Sequence, residues 1–271
     1  MRTNVLLTVV IAAVVASLTP GAAVAAPSAP ARMAAIGDSI TRATDVCCWY
    51  GDHPGNSWTT GGASWDGVRS HYERLRTLNP KLAGNNHNVA RAGAKMSDAP
   101  SQAARAVERK AQYVTVLMGA NDVCTSSIDS MTSVAAFRSQ FASTMDTLRA
   151  GIPRAHVFVA SIPNVYHLWQ LYDGHATAEW VWSTARICQS LLSNSRTEAQ
   201  RQQVLTRVRA LNEVLAQVCA EYRRCRFDGN AVFNYSFNRS HVSKLDYFHP
   251  SLGGQAVLAD ATWHLTPWGG Q

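Results

Sequence analysis

The chain has 271 residues, 46% hydrophobic and 16% charged, with a formal net charge of +7. That length suits one α/β domain with a sizeable core. The excess of base serves solubility or attraction to anionic surfaces such as lipid head groups and cell-wall polymers. With no basic run interleaved with aromatics, nothing points to nucleic acid.

The first elements are for export. Arg2 gives a basic start, residues 5–18 are almost unbroken apolar sequence, and Ala23-Val24-Ala25 is a small-x-small cleavage site. This layout predicts a signal peptide over residues 1–26, because the run is shorter than the ~20 residues of a spanning helix. No later stretch is apolar enough to span a bilayer. Pro27-Ser28-Ala29-Pro30 reads as a tether, and residues 27–271 as a single secreted domain.

Beyond the tether, Met33-Ala34-Ala35-Ile36 is a short apolar run stopped by Gly37, the pattern of a buried strand. A helix is expected over 65–78, with Val68, Tyr72, Leu75 and Leu78 on one face. Asn88-Val89-Ala90 is a weaker strand, followed by an alanine-rich helix over 101–110 that ends in basic residues. Residues 113–118 form the clearest strand, rich in β-branched side chains and stopped by Gly119. A helix over 134–148 turns Phe137, Phe141, Met145 and Leu148 inward, and residues 156–162 make another strand. A long helix over 198–222 follows, with Val204, Val208, Leu211, Val214, Leu215 and Val218 inward and Arg201 to Arg209 on its polar face. A helix over 252–265 closes the chain. Alternation of this kind predicts an α/β fold: a mostly parallel sheet between helical layers, with ligands beyond the carboxyl ends of the strands.

Six cysteines in an exported chain predict disulfides, and six thiols allow 15 pairings. Cys219 and Cys225 are neighbours at a helix-to-strand turn. A Cys124–Cys188 bridge would staple the segment after the 156–162 strand over the Asn121 loop. Cys47 and Cys48 are adjacent and awkward to join. No Cys-x-x-Cys or matching histidine pair supports zinc.

Four peptides carry the chemistry. Ser39, in Gly37-Asp38-Ser39-Ile40, stands where a strand gives way to a helix, so its hydroxyl is exposed and nearby amides face developing negative charge. His249, in Asp246-Tyr247-Phe248-His249, has a carboxylate three residues earlier. Asp246 can hold the Nδ1 proton while Nε2 accepts from Ser39, the division of labour of a serine triad. Gly93 can offer its amide where a Cβ would obstruct substrate, and the side-chain NH2 of Asn121 is a second oxyanion donor. Taken singly, these residues could equally be an N-cap serine, a surface histidine and two turn residues.

In this order, Ser39, Gly93, Asn121 and His249 resemble the four blocks of the SGNH hydrolases, also called GDSL esterases/lipases, over roughly residues 33 to 265. The resemblance implies a three-layer α/β/α sandwich of flavodoxin-like type, with Ser39, His249 and Asp246 as the catalytic residues. It further implies an oxyanion hole made of the Ser39 amide, the Gly93 amide and the Asn121 side chain. Ile40 replaces the leucine of the name-giving motif, and Ala120 stands where glycine is frequent. The peptides around His249 and at Ile162-Pro163-Asn164-Val165-Tyr166 look like a phospholipase-B-like branch. The implied activity is hydrolysis of carboxylic esters, lipid or small-molecule, with acetylated glycan as an alternative substrate on the same scaffold. A silent cell-surface binding module is the remaining reading. A monomer without metal or cofactor is expected. Trp49, Tyr50, Trp58 and Trp65, with Tyr166, Trp169, Tyr172, Trp180 and Trp182, would form an aromatic rim if their segments flank the cleft.

Overall fold

The fold is that of a computed structural model that describes Met1 and residues 26–270. The expected signal peptide lies, but for its two end residues, outside the described residues. Among these, no helix is long and apolar enough to cross a membrane.

Five strands form the centre: β1 (Met33–Gly37), β2 (Asn86–Asn88), β3 (Tyr113–Leu117), β4 (His156–Val159) and β5 (Cys225–Phe227). They lie in the order β2-β1-β3-β4-β5, and every pairing is parallel. β1 and β3 are buried along their whole length, as strands covered on both faces must be, and both are apolar almost throughout. The edge strands differ. β2 is polar Asn-His-Asn and begins two residues before the expected Asn88, while β5 has only three residues and an exposed Arg226.

The longer helices are α1 (His71–Leu78), α2 (Ala99–Glu108), α3 (Val134–Gly151), α4 (Val165–Tyr172), α5 (Ala176–Thr184), α6 (Glu198–Ala220) and α7 (Leu252–Trp263). α2, α3 and α6 pack in succession on one face of the sheet, and α1 and α7 lie on the other. The result is a three-layer sandwich, as expected. α1 begins six residues later than the apolar spacing indicates, because Ser70 and Glu73 form a reciprocal capping box at its start. Of the face expected there, Tyr72 and Leu75 are buried, Val68 is buried ahead of the helix, and Leu78 is exposed. Arg201 also departs from the expected polar face. It is buried, stacks 4.4 Å over the Trp169 ring and donates to the carbonyls of Ser193 and Arg196.

Two disulfides hold the connections. Cys219–Cys225 joins the end of α6 to β5, and Cys124–Cys188 spans 64 residues between the turn after β3 and the segment that follows α5. Both are pairs expected from position. Cys47 and Cys48 are unbridged.

One polar group sits in the middle of the packing between layers. His71 is fully buried, with Nδ1 2.8 Å from the Tyr113 hydroxyl and Nε2 2.9 Å from Thr262 Oγ1. The Thr262 hydroxyl donates to Leu258 O, so it accepts from Nε2–H, and Nδ1 accepts from Tyr113. Both ring nitrogens are satisfied with the ring neutral. Burial, helped by Arg74, pushes its pKa down to about 3. A folded-state pKa below the ordinary 6.5 means that the unfolded chain takes up the proton first. His71 therefore withdraws stability as pH falls below 6.5, by about 1.4 kcal/mol per pH unit. Urea titrations at pH 6.5 and 5 should show a smaller loss for His71→Gln than for the parent protein; equal losses would show that His71 does not control this slope.

Candidate active site

Each block of the site stands at the carboxyl edge of the sheet, and a side-chain or backbone clamp fixes each one. β1 ends at Gly37, whose backbone is gripped on both sides by Gln102: Gly37 N donates to Oε1 at 2.9 Å, and Nε2 donates to Gly37 O at 3.0 Å. A Cβ on Gly37 would lie 2.3 Å from Thr41 Oγ1 and 2.8 Å from Leu117 O, so only glycine fits between strand and turn. Asp38 then caps the single helical turn Ser39–Arg42 by accepting from Ile40 N at 2.9 Å. Ser39 is 7% exposed at the head of this turn. From the opposite layer, Gln255 of α7 donates to Ile40 O at 2.8 Å and accepts from Trp58 N at 2.8 Å.

The two expected oxyanion elements are fastened to each other. Gly93 lies in a turn at φ 75°, a backbone conformation suited to glycine, and nothing lies within 4 Å of where a Cβ would stand. Asn121 Nδ2 donates to Ala94 O at 3.1 Å, and Met96 N donates to the neighbouring carboxylate, Asp122 Oδ2, at 2.9 Å. One N–H of the Asn121 amide is thus spent on holding the Gly93 turn, which leaves the other for a ligand.

His249 is presented by a short loop closed by the antiparallel bridge Val242–Pro250 and by Ser243 N donating to His249 O at 2.8 Å. Within the loop, Asp246 Oδ1 accepts from the amides of Phe248 (2.9 Å) and His249 (3.0 Å), and Asp246 Oδ2 pairs with His249 Nδ1. Tyr247 takes φ 57° so that the chain can turn back between the two partners. Burial lowers the His249 pKa, but the Asp246 contact outweighs it, with Asp45 and Asp38 adding to the rise above the ordinary 6.5. In return, the same contact overcomes burial and holds the Asp246 carboxyl below its usual range. Burial dominates at Asp38 and pushes it up to about 7, against the Ile40 amide and the His249 charge.

Ser39 and His249 line two openings that meet at the serine. One is narrow and apolar, about 70 Å³, walled by Ile40, Val165, Leu168, Leu171, Phe237 and Phe248. The other is wider, about 510 Å³, and reaches Gly93, Asn121, Tyr50 and Arg186. The structure therefore gathers Ser39, Gly93, Asn121, Asp246 and His249 around one cleft. Among the described residues no hydrogen bond joins Ser39 Oγ to His249, unlike the expected direct contact. Such bonds are commonly long in an empty site and tighten around the reacting group.

The aromatic rim is largely absent. Trp58, Trp182, Tyr172 and Tyr166 are buried, because the segments that carry them pack inward. Trp49, Trp65 and Trp180 are exposed, and of the nine rings only Tyr50 is among the residues that line the cleft. Aliphatic side chains and phenylalanines take that role. Sequence reasoning did not single out Gln102, Gln255 or Asp45; Gln102 and Gln255 find their partners, and Asp45 meets His249, only through contacts remote in the chain.

A parallel sheet with a serine, a histidine–carboxylate pair and free amide donors at its carboxyl edge defines an α/β enzyme. The chain belongs to the GDSL-like lipase/acylhydrolase family, whose model matches residues 33–262. It is accordingly an ester-hydrolysing enzyme. Among solved structures it is similar to a putative GDSL-like lipase from Parabacteroides merdae, with 15% identity and a TM-score of 0.52 over 89% of this chain and 98% of that one. It is also similar to phospholipase A1 from Streptomyces albidoflavus, with 17% identity and a TM-score of 0.50 over 86% and 100% of the two chains. A third is the lipase Lip_vut3 from a goat rumen metagenome, with 12% identity and a TM-score of 0.52 over 85% and 94%. At these identities the likeness is one of fold. A search of curated proteins returns no match.

Proposed function

We propose that the protein is a secreted serine esterase or lipase that cleaves carboxylic esters carrying an apolar acyl group. The observation that carries this reading is the pairing of His249 with Asp246 on the wall of the cleft that also holds Ser39, Gly93 and Asn121. Asp246 fixes the Nδ1–H tautomer, so Nε2 is the free basic nitrogen. Ser39 Oγ attacks the ester carbonyl carbon as its proton passes to His249 Nε2. The carbonyl oxygen takes the negative charge and is met by the amides of Ser39 and Gly93 and by the unspent N–H of Asn121. His249 then protonates the departing alcohol, and water, activated by the same nitrogen, releases the acid from the acyl-serine. The apolar opening beside Ser39 suits the acyl chain, and the wider one leaves room for the alcohol. Residues 1–26 act as the export signal, and residues 27–271 form one monomeric domain.

The test is covalent. A fluorophosphonate should label the purified protein once, at Ser39 by peptide mass spectrometry, and abolish hydrolysis of nitrophenyl esters. A panel of short esters, long esters, phospholipid and acetylated xylan then fixes the substrate, with turnover of apolar acyl esters expected. Chelators should leave the rate unchanged. Labelling elsewhere with Ser39 unmodified and activity lost, or activity removed by chelator and restored by a divalent ion, would sink the serine mechanism.

A further inference from the structure

A second carboxylate stands behind the His249 ring. Asp45 lies in the loop that follows the Ser39 turn, and its Oδ2 is 3.9 Å from His249 Nδ1, on the same nitrogen that Asp246 holds. Ligand atoms of Asp45, Asp246 and His249 all fall within 4.8 Å of one another. The side chain is not there by loose placement. Asp45 takes φ 53°, its amide donates to Gly51 O at 2.8 Å, and its Oδ1 accepts from Gly51 N at 2.6 Å. Its own carbonyl accepts from Ser243 Oγ, and Tyr50 OH donates to Leu245 O at 3.0 Å, which ties this loop to the one that presents His249. One oxygen of the carboxylate is thus occupied by its loop and the other is turned to the imidazole.

We propose that Asp45 is a second positioning residue for His249, sharing with Asp246 the task of holding Nδ1–H and able to take it over. This inference rests on the serine-hydrolase reading of the site. Closing 3.9 Å to a hydrogen bond needs a shift of only about 1 Å. An asparagine at position 246 that turned its NH2 to Nδ1 would favour the wrong tautomer, but Asp45 remains as an anionic acceptor that favours the right one. The charges that face the ring are Asp246 on its own loop, Asp45, and Asp38 on the nucleophile turn; Tyr172, with Arg239 near it, faces Asp246 from α4. Burial and the neighbouring Asp246 raise the Asp45 carboxyl above its ordinary range, against the Gly51 amide and His249, as expected for two carboxylates crowded on one imidazole.

The test is a set of kcat/KM–pH profiles on a soluble nitrophenyl ester for the parent protein, Asp45→Asn, Asp246→Asn and the double variant, with Ser39→Ala as the blank. Asparagine at position 45 keeps the acceptor for Gly51 N. Asp45→Asn should move the acid limb to lower pH by about 1 unit, because one negative charge near the imidazolium is gone. Asp246→Asn should lose only about 10²-fold, and the double variant on the order of 10⁴-fold or more, beyond the product of the two single losses. An acid limb that stays in place in Asp45→Asn, or a double loss equal to that product, overturns the proposal. Should Asp45→Asn fail to fold, NMR titration of the His249 ring in Asp246→Asn with Asp38→Asn added, which removes the other carboxylate facing the ring and keeps an acceptor for Ile40 N, decides. A pKa still raised above the ordinary value supports Asp45, and one at or below it overturns the proposal. Turnover by Ser39→Ala would overturn the underlying serine reading as well, so the two failures are distinct.

Discussion

Ser39→Ala and His249→Ala should each lower kcat/KM on the order of 10⁴-fold or more without unfolding the protein, Ser39→Ala with a thermal melt near that of the parent and His249→Ala with a lower one, because Asp246 loses its buried partner. Without Oγ there is no atom to form the acyl-enzyme. Without the imidazole, Oγ keeps its proton and is a poor nucleophile at neutral pH. Ser39 Oγ makes no hydrogen bond among the described residues, and the turn is capped by Asp38 rather than by Ser39, so removing the hydroxyl takes little from the fold. His249 contributes its backbone to the loop through Ser243 N, which alanine retains. Combining the two substitutions should cost little more than either alone, since each already disables the same step. Activity of Ser39→Ala within tenfold of the parent protein would rule out the assignment.

Asn121→Ala should lower kcat by about 10²–10³-fold, the cost of one oxyanion donor in comparable hydrolases. A second effect adds to it here. The Asn121 amide also donates to Ala94 O at 3.1 Å and so helps to hold the Gly93 turn that carries another donor. Asn121→Asp separates the contributions, because aspartate keeps the size but places an acceptor at both sites. It should be as impaired as alanine or more so, with KM for a neutral ester changed far less than kcat. If Asn121→Ala instead raised KM and left kcat intact, the side chain would be binding substrate in the ground state and not the developing oxyanion.

Much of this was legible in the sequence because the decisive patterns are local. β1, β3 and β4 announce themselves as apolar runs since both faces of a central parallel strand are covered. The edge strands carry no such signal, and the polar β2 and the short β5 are strands only because a neighbour offers them hydrogen bonds. The start of α1 was present in Ser70 and Glu73, but the apolar spacing from Trp65 onward obscured it. Asp246 and His249 are three residues apart, so their pairing can be read from one peptide. The approach of Asp45 to His249 and of Gln255 to Ile40 cannot be read this way, because each forms only after segments from opposite ends of the chain come together. Trp58 and Trp182 pack inward rather than on the cleft for a related reason. Aromatic content does not say which side of a loop faces the cleft.

The Ser39 turn and the helix that follows His249 are joined by the hydrogen bond from Gln255 to Ile40, across 215 residues. Contacts between such distant segments close late, because the entropy of the intervening loop must be overcome before they form. During synthesis, then, Ser39 emerges well before His249. On the proposed mechanism, a nascent chain that holds Ser39 but not yet His249 carries a hydroxyl with nothing to take its proton. Under the proposed mechanism, hydrolytic power arrives only once His249 has joined the sheet edge, which keeps shorter nascent chains silent towards whatever esters surround them.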